Sequence, residues 1–168
     1  MNETMWGLTG VPWAIAGGVF AIIGGGIGSA IGLSSSSNMA AGIVTEDGEK
    51  FGRLLPLVAM PSTQGIYGFI TAILVLILFG LLLPESVPEI GAEEGFSIML
   101  ACLPVAFVGL FSGIYQGLTS AGAAGMVARR SEDAGKALIF PALVETYAVF
   151  ALITTVLILL SLQSAYGF

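Results

Sequence analysis

The chain has 168 residues, 56% of them hydrophobic and only 10% charged, against roughly a quarter charged in a soluble domain; such a composition belongs in lipid. It contains no His and a single Cys, Cys102, which sets aside histidine general-base chemistry, zinc sites and any disulfide framework built from this chain alone. The formal net charge of −6 is less informative than the placement of the charges, and nothing in it points to nucleic acid.

Residues 1–12 are acidic and carry no cation, whereas a cleaved signal peptide starts with a basic stretch, so the first apolar segment reads as a helix of the mature protein. The Asn2-Glu3-Thr4 sequon would matter only in a secreted eukaryotic setting. Four apolar stretches follow, over residues 13–44, 54–83, 96–128 and 137–162, each long enough for a hydrocarbon core that takes about 20 helical residues.

The first helix carries Gly24, Gly28 and Gly32, a doubled GxxxG that lets helix backbones approach closely in lipid. A phosphate-cradling loop would need a preceding strand and a GxGxxG pattern, and the sequence has neither. Ser34-Ser35-Ser36-Ser37-Asn38 reads as hydroxyls bonding one turn back and to neighbouring helices. The first connection holds Lys50 and Arg53.

On the second helix Met60, Thr63, Gln64 and Tyr67 follow the i, i+3, i+4, i+7 spacing and share a face. Pro61 interrupts this helix, frees the carbonyl of Leu57 and offers the Met60 carbonyl to a ligand. The middle connection carries Glu85, Glu89, Glu93 and Glu94 without a cation. The third helix repeats the glycine stripe at Gly109, Gly113 and Gly117 and adds Gln116, and the third connection holds Arg129, Arg130 and Lys136. The fourth contains Pro141, which frees the Ala137 carbonyl, and Glu145. Because all five cations flank the first and third connections, the positive-inside rule puts those in the cytoplasm and both termini outside. The first and third helices exceed a bilayer crossing, so their ends project toward soluble partners.

Ala40-Ala41-Gly42-Ile43-Val44 recurs as Ala123-Ala124-Gly125-Met126-Val127, and Ile70-Thr71 as Ile153-Thr154, at one offset of 83 residues (123 − 40 = 83; 153 − 70 = 83). The chain is therefore a duplication of parallel repeats, with a first hairpin over residues 1–83, an acidic extracytoplasmic connection over 84–95 and a second hairpin over 96–168. The fold class is an all-α membrane protein of four helices in two duplicated hairpins, a unit suited to a ring.

Ten of the eleven acidic residues lie in the N-terminal segment or the connections, and only Glu145 sits inside an apolar stretch. An ionised carboxylate at mid-bilayer costs several kcal/mol unless it is neutralised, so it needs a proton or a cation. Glu145 is nine residues beyond Lys136, Gln64 eleven beyond Arg53 and Gln116 thirteen before Arg129, which puts all three roughly 14 to 20 Å deep. One carboxylate, two amide oxygens, the Thr63 hydroxyl and the Met60 carbonyl form a hard oxygen set that suits an alkali cation or a proton carrier. Tyr67 can donate its hydroxyl to Glu145 and hold its rotamer. In the repeat frame Glu145 corresponds to Ser62, so each duplicated unit has one carrier. Thr71, Thr154 and Thr155 lie further outward and read as interhelical hydrogen bonders.

Pro61-Ser62-Thr63-Gln64-Gly65-Ile66-Tyr67-Gly68, Gly113-Ile114-Tyr115-Gln116-Gly117 and Val144-Glu145-Thr146-Tyr147 together resemble the duplicated proteolipids of vacuolar-type ATPases, and more closely the rotor-ring subunit K group of the bacterial sodium-translocating kind. The resemblance implies Met60 (carbonyl), Thr63, Gln64, Gln116 and Glu145 as ligands of Na+, with H+ as the alternative, and Tyr67 as a latch. It further implies a non-catalytic subunit, a ring of identical copies in lipid, a stator supplying an Arg and two half-channels, and central-stalk subunits at the cytoplasmic loops. The family commonly has Leu where Met60 stands, a change that a main-chain ligand tolerates.

Two other functions are compatible with four helices and one membrane glutamate. A proton-coupled small-molecule exporter would need an aromatic-lined substrate cavity, whereas the aromatics read as dispersed. A purely structural channel offers no role for three polar side chains at the level of the acid.

Overall fold

The structure, a computed structural model, describes residues 9–82 and 89–168. The sequon, most of the acidic N-terminal segment, Leu83 at the end of the second predicted span and Glu85 lie outside the described residues. Long α-helices account for the four spans: α1 is Gly10–Glu46 and α4 is Ala92–Arg129, while the second span divides into α2, Phe51–Ala59, and α3, Thr63–Leu78, and the fourth into α5, Ala134–Ala137, and α6, Ile139–Tyr166. At 37 and 38 residues, α1 and α4 reach about 55 Å, well past a hydrocarbon core of about 30 Å.

The breaks in the outer spans have a chemical cause. One turn of 3-10 helix, Met60–Ser62, separates α2 from α3 around Pro61, and the fourth span turns at Leu138, three residues before Pro141. Each proline lacks the N–H that would close the ladder one turn back. The two copies break at different places, because Pro141 aligns with Val58 and not with Pro61. Past Leu78, Gly80 takes φ 63°, the left-handed conformation that ends a helix at little cost only for glycine.

The most extensive packing joins α1 to α4, side by side and parallel, with α3 and α6 outside them. A methyl group placed on Gly28 would lie 2.5 Å from the Leu110 carbonyl oxygen, so the two backbones touch where a side chain would separate them. At one end Lys50 Nζ donates to the Ala128 carbonyl over 2.8 Å, gathering the first and third connections. At the other end the Gly10 N–H donates to the Ile90 carbonyl over 3.1 Å, bringing the start of α1 to the acidic connection. Glu94 there accepts from the Gly91 N–H over 2.9 Å and closes the first turn of α4.

Two apolar clusters form the core. One gathers Ala14, Ala21, Val75, Phe79, Ile98 and Val105 toward the acidic end; the other gathers Ala40, Leu54, Leu57, Ala123 and Val127 toward the basic end. Along α1, α3 and α4 the buried polar residues Ser29, Gln64, Ser112 and Gln116 fall between the two. The remaining surface is ringed by exposed Ile, Leu and Phe side chains, as expected where lipid or other apolar helices are the solvent.

Candidate functional site

The polar level is one connected network. Gln64 and Gln116 are both 0% exposed, and the Gln64 amide donates to Gln116 Oε1 over 2.6 Å. Gln116 Nε2 in turn donates to Glu145 Oε2 over 3.3 Å and to the Pro141 carbonyl over 3.2 Å. The other carboxylate oxygen, Glu145 Oε1, accepts from the Tyr67 hydroxyl over 2.8 Å. Glu145 is therefore held by donors from α3 and α4 while rooted on α6.

Thr63 stands beside this chain of bonds. Its hydroxyl donates to the Met60 carbonyl over 3.1 Å and lies 3.4 Å from Gln64 Oε1. The 3-10 turn at Pro61 brings this about: it sets Met60 and Thr63 one tight turn apart, so that carbonyl, hydroxyl and amide oxygen converge on the α3 side. All six residues singled out from sequence thus belong to one cluster. Glu145 itself is only half-buried, because it sits at the outer edge of a single copy, where α3 meets α6.

Ser112 also belongs to the cluster, and counting depth does not find it. Its hydroxyl accepts from Gln64 Nε2 over 3.2 Å and donates to the Val144 carbonyl over 3.2 Å, tying α3, α4 and α6 together next to Glu145. The available signal is its place four residues before Gln116, on the same helix face.

The serine run behaves as read: Ser35 and Ser36 bond to carbonyls one turn back, and Ser36 also reaches Val58 over 3.3 Å. The outer threonines do not. Thr71 donates to Tyr67 of its own helix over 2.9 Å, and the buried Thr155 hydroxyl has no hydrogen-bond partner among the described residues. Neither is the interhelical bond expected; for Thr71 the carbonyl one turn back is the nearer acceptor.

The aromatics are also less dispersed than the sequence suggests. Phe107, Phe111 and Tyr115 of α4 and Tyr147 of α6 line one groove of about 730 Å3 on the surface of the single copy. Spacing by fours puts the α4 rings in a row, and only the approach of α6 adds the fourth.

Chemically, the cluster offers oxygen donors around a single carboxylate, and no group of three His, Cys, Asp or Glu placed to hold a metal ion occurs among the described residues. A multivalent or soft metal would want more charge or sulfur and nitrogen donors; a monovalent hard cation or a proton fits.

A family model for the ATP synthase C-subunit matches the chain twice, over residues 16–75 and 99–158, the same interval of 83 residues that separates the sequence repeats. Among similar proteins is the V-type sodium ATPase subunit K of Enterococcus hirae, 39% identical over 152 residues that cover 90% of this chain and 93% of that protein. The A-type ATP synthase subunit K of Methanocaldococcus jannaschii is likewise 39% identical, over 155 residues that cover 90% of this chain and 65% of that protein.

Proposed function

The chain belongs to the ATP synthase C-subunit family, whose members are non-catalytic rotor subunits that form rings of identical copies, and we propose that this one carries Na+ across the membrane on Glu145 as the ring turns. The catalytic work of such an ATPase lies in other subunits. The observation that carries the proposal is that Tyr67 and Gln116 both donate to the Glu145 carboxylate while Gln64 donates to Gln116, so that one bonded chain joins all four side chains. Na+, as cargo, would take the Met60 carbonyl, the Thr63 hydroxyl, the Gln64 and Gln116 amide oxygens and the Glu145 carboxylate as ligands. Tyr67 would latch the carboxylate in the orientation that faces the ion. The name of the Enterococcus relative favours sodium over protons for that protein, and the complete oxygen set favours it here.

Mechanism follows from charge. An ionised Glu145 facing hydrocarbon costs several kcal/mol, whereas the Na+ complex is neutral and can pass lipid. Each copy would load from one half-channel of a stator, travel loaded, and release where an Arg from the stator pairs with the emptied carboxylate. Carrying one charge across 100 mV takes about 2.3 kcal/mol, so several ions must move per ATP. The basic connections, which meet at Lys50 and Ala128, are proposed to face the cytoplasm and the central stalk, with the termini outside. The division into hairpins over 1–83 and 96–168, joined by 84–95, belongs to the same proposal.

Carbodiimide should label Glu145 in the assembled complex, and Na+ at constant pH should protect it. Protection by protons alone would point to an H+ ring and remove sodium from the proposal. Tyr67→Phe keeps the aromatic ring and removes one hydrogen bond to a charged oxygen, so the Na+ concentration giving half-protection should rise about tenfold, the equivalent of about 1.4 kcal/mol.

A further inference from the structure

The two repeats pack on each other through different faces, and each repeat leaves uncovered the face that the other uses. On α1 the covered face is Gly24, Gly28 and Gly32, whose backbones meet Ala106, Gly109 with Leu110, and Gly113 of α4. One repeat further on, at an offset of 83 residues, that face becomes Phe107, Phe111 and Tyr115, which line the open groove, with Phe107 59% and Phe111 55% exposed. In the reverse direction, the α4 residues Ala106, Gly109, Leu110 and Gly113 correspond to Ile23, Gly26, Ile27 and Ala30 of α1. Ile23 and Ile27 are each 48% exposed, and a side-chain carbon placed on Gly26 would meet nothing within 4 Å.

A contact between unlike faces is heterologous, and each unit that makes it still owns one free copy of both faces. We propose that the groove of α4 and α6 is the seam of the ring and that it takes the Ile23, Gly26, Ile27 and Ala30 ridge of a second copy of this chain. The inference rests on ring membership and adds the faces and their register. Carrying the observed pairs over one repeat puts Phe107 against Ile23 of the partner subunit, Phe111 against Gly26 and Ile27 of the partner subunit, and Tyr115 against Ala30 of the partner subunit.

The side chains fit this assignment. Inside one copy glycine faces alanine and glycine, and the backbones touch; between copies, rings would face branched side chains, with the space over Gly26 of the partner subunit left for the Phe111 ring. A groove of about 730 Å3 is the room such side chains need when the helices stand further apart. The ring would then alternate tight intrachain and wide interchain spacings. Tyr147, 67% exposed on the same groove, is the repeat counterpart of Gln64, which faces the intrachain seam through Ser112 and Gln116.

The test is cysteine cross-linking of the assembled complex in its membrane, in a Cys102→Ala background with a short bis-thiosulfonate reagent. Phe107→Cys combined with Ile23→Cys should give a ladder of covalent multimers, and neither single variant should give any. Tyr115→Cys with Ala30→Cys is the second pair, chosen because it leaves Phe107 and Ile23 in place should the first pair fail to assemble. Dimers from a single variant would mean a face meeting its own copy and would overturn the seam. A ring seen by native mass spectrometry without a ladder from either pair would overturn the seam but leave ring membership standing. A monomer by native mass spectrometry would sink the ring reading as well.

Discussion

Glu145→Gln is expected to reduce Na+-coupled ATP turnover of the assembled complex at least about a hundredfold, while native mass spectrometry still finds an intact ring. The amide that replaces the carboxylate can accept from Tyr67 and be held near Gln116, so the packing of α3, α4 and α6 is retained. What disappears is the one carboxylate of the cluster among the described residues. Removing one partner of a buried charge pair costs about 3 to 5 kcal/mol, and each 1.4 kcal/mol is about tenfold in affinity. A ring of such subunits is neutral at the level of Gln64 and Gln116 and can turn past lipid, but it carries nothing. Vesicle uptake of Na+ driven by ATP is the direct measurement, and transport at the normal rate would remove Glu145 from the carrier role.

Depth, more than any motif, makes the site legible. In a chain whose helix ends are marked by basic residues, counting residues converts sequence into height, and Gln64, Gln116 and Glu145 come out level from the sequence alone. Counting gives height but not azimuth. Whether Gln116 faces Glu145 or lipid depends on how α4 is rotated, and that follows from Gly109, Gly113 and Gly117 having to meet α1 while Gln116 turns toward α6. The convergence at the site is in that sense a consequence of the glycine stripe.

The misses have the same origin. Ser112 is hidden because a serine in a helix of small residues is compositionally ordinary; only its position one turn from Gln116 marks it. Thr71 reads as crossing to a neighbour, yet the carbonyl one turn back lies at fixed, short range whereas a neighbouring helix has to be brought there by packing. Phe107, Phe111 and Tyr115 are legible as a row at spacing four, but their use is not. Set beside their repeat counterparts Gly24, Gly28 and Gly32, they show one ancestral face used in two ways, closed tightly within a copy and left broad outside it.

Gln116→Leu should weaken Na+ protection of Glu145 by about ten- to a hundredfold while leaving protection by protons undiminished, because the lost N–H favoured the charged carboxylate. Gln116 is the hinge of the network: it accepts from Gln64, donates to the Pro141 carbonyl and donates to Glu145. Leucine fills much the same volume but provides neither the amide oxygen proposed to bind the ion nor the N–H that steadies the carboxylate, and it leaves the buried Gln64 amide with Ser112 as its one remaining acceptor. Hydrogen bonds to charged groups are worth about 1.5 to 3 kcal/mol, which sets the expected range. A proton needs only the carboxylate, whereas sodium needs its oxygen neighbours, so the two ions should separate in this variant. Equal loss of protection by both would mean that Gln116 serves only to position Glu145. No loss of sodium protection would mean that the amide is not a ligand at all.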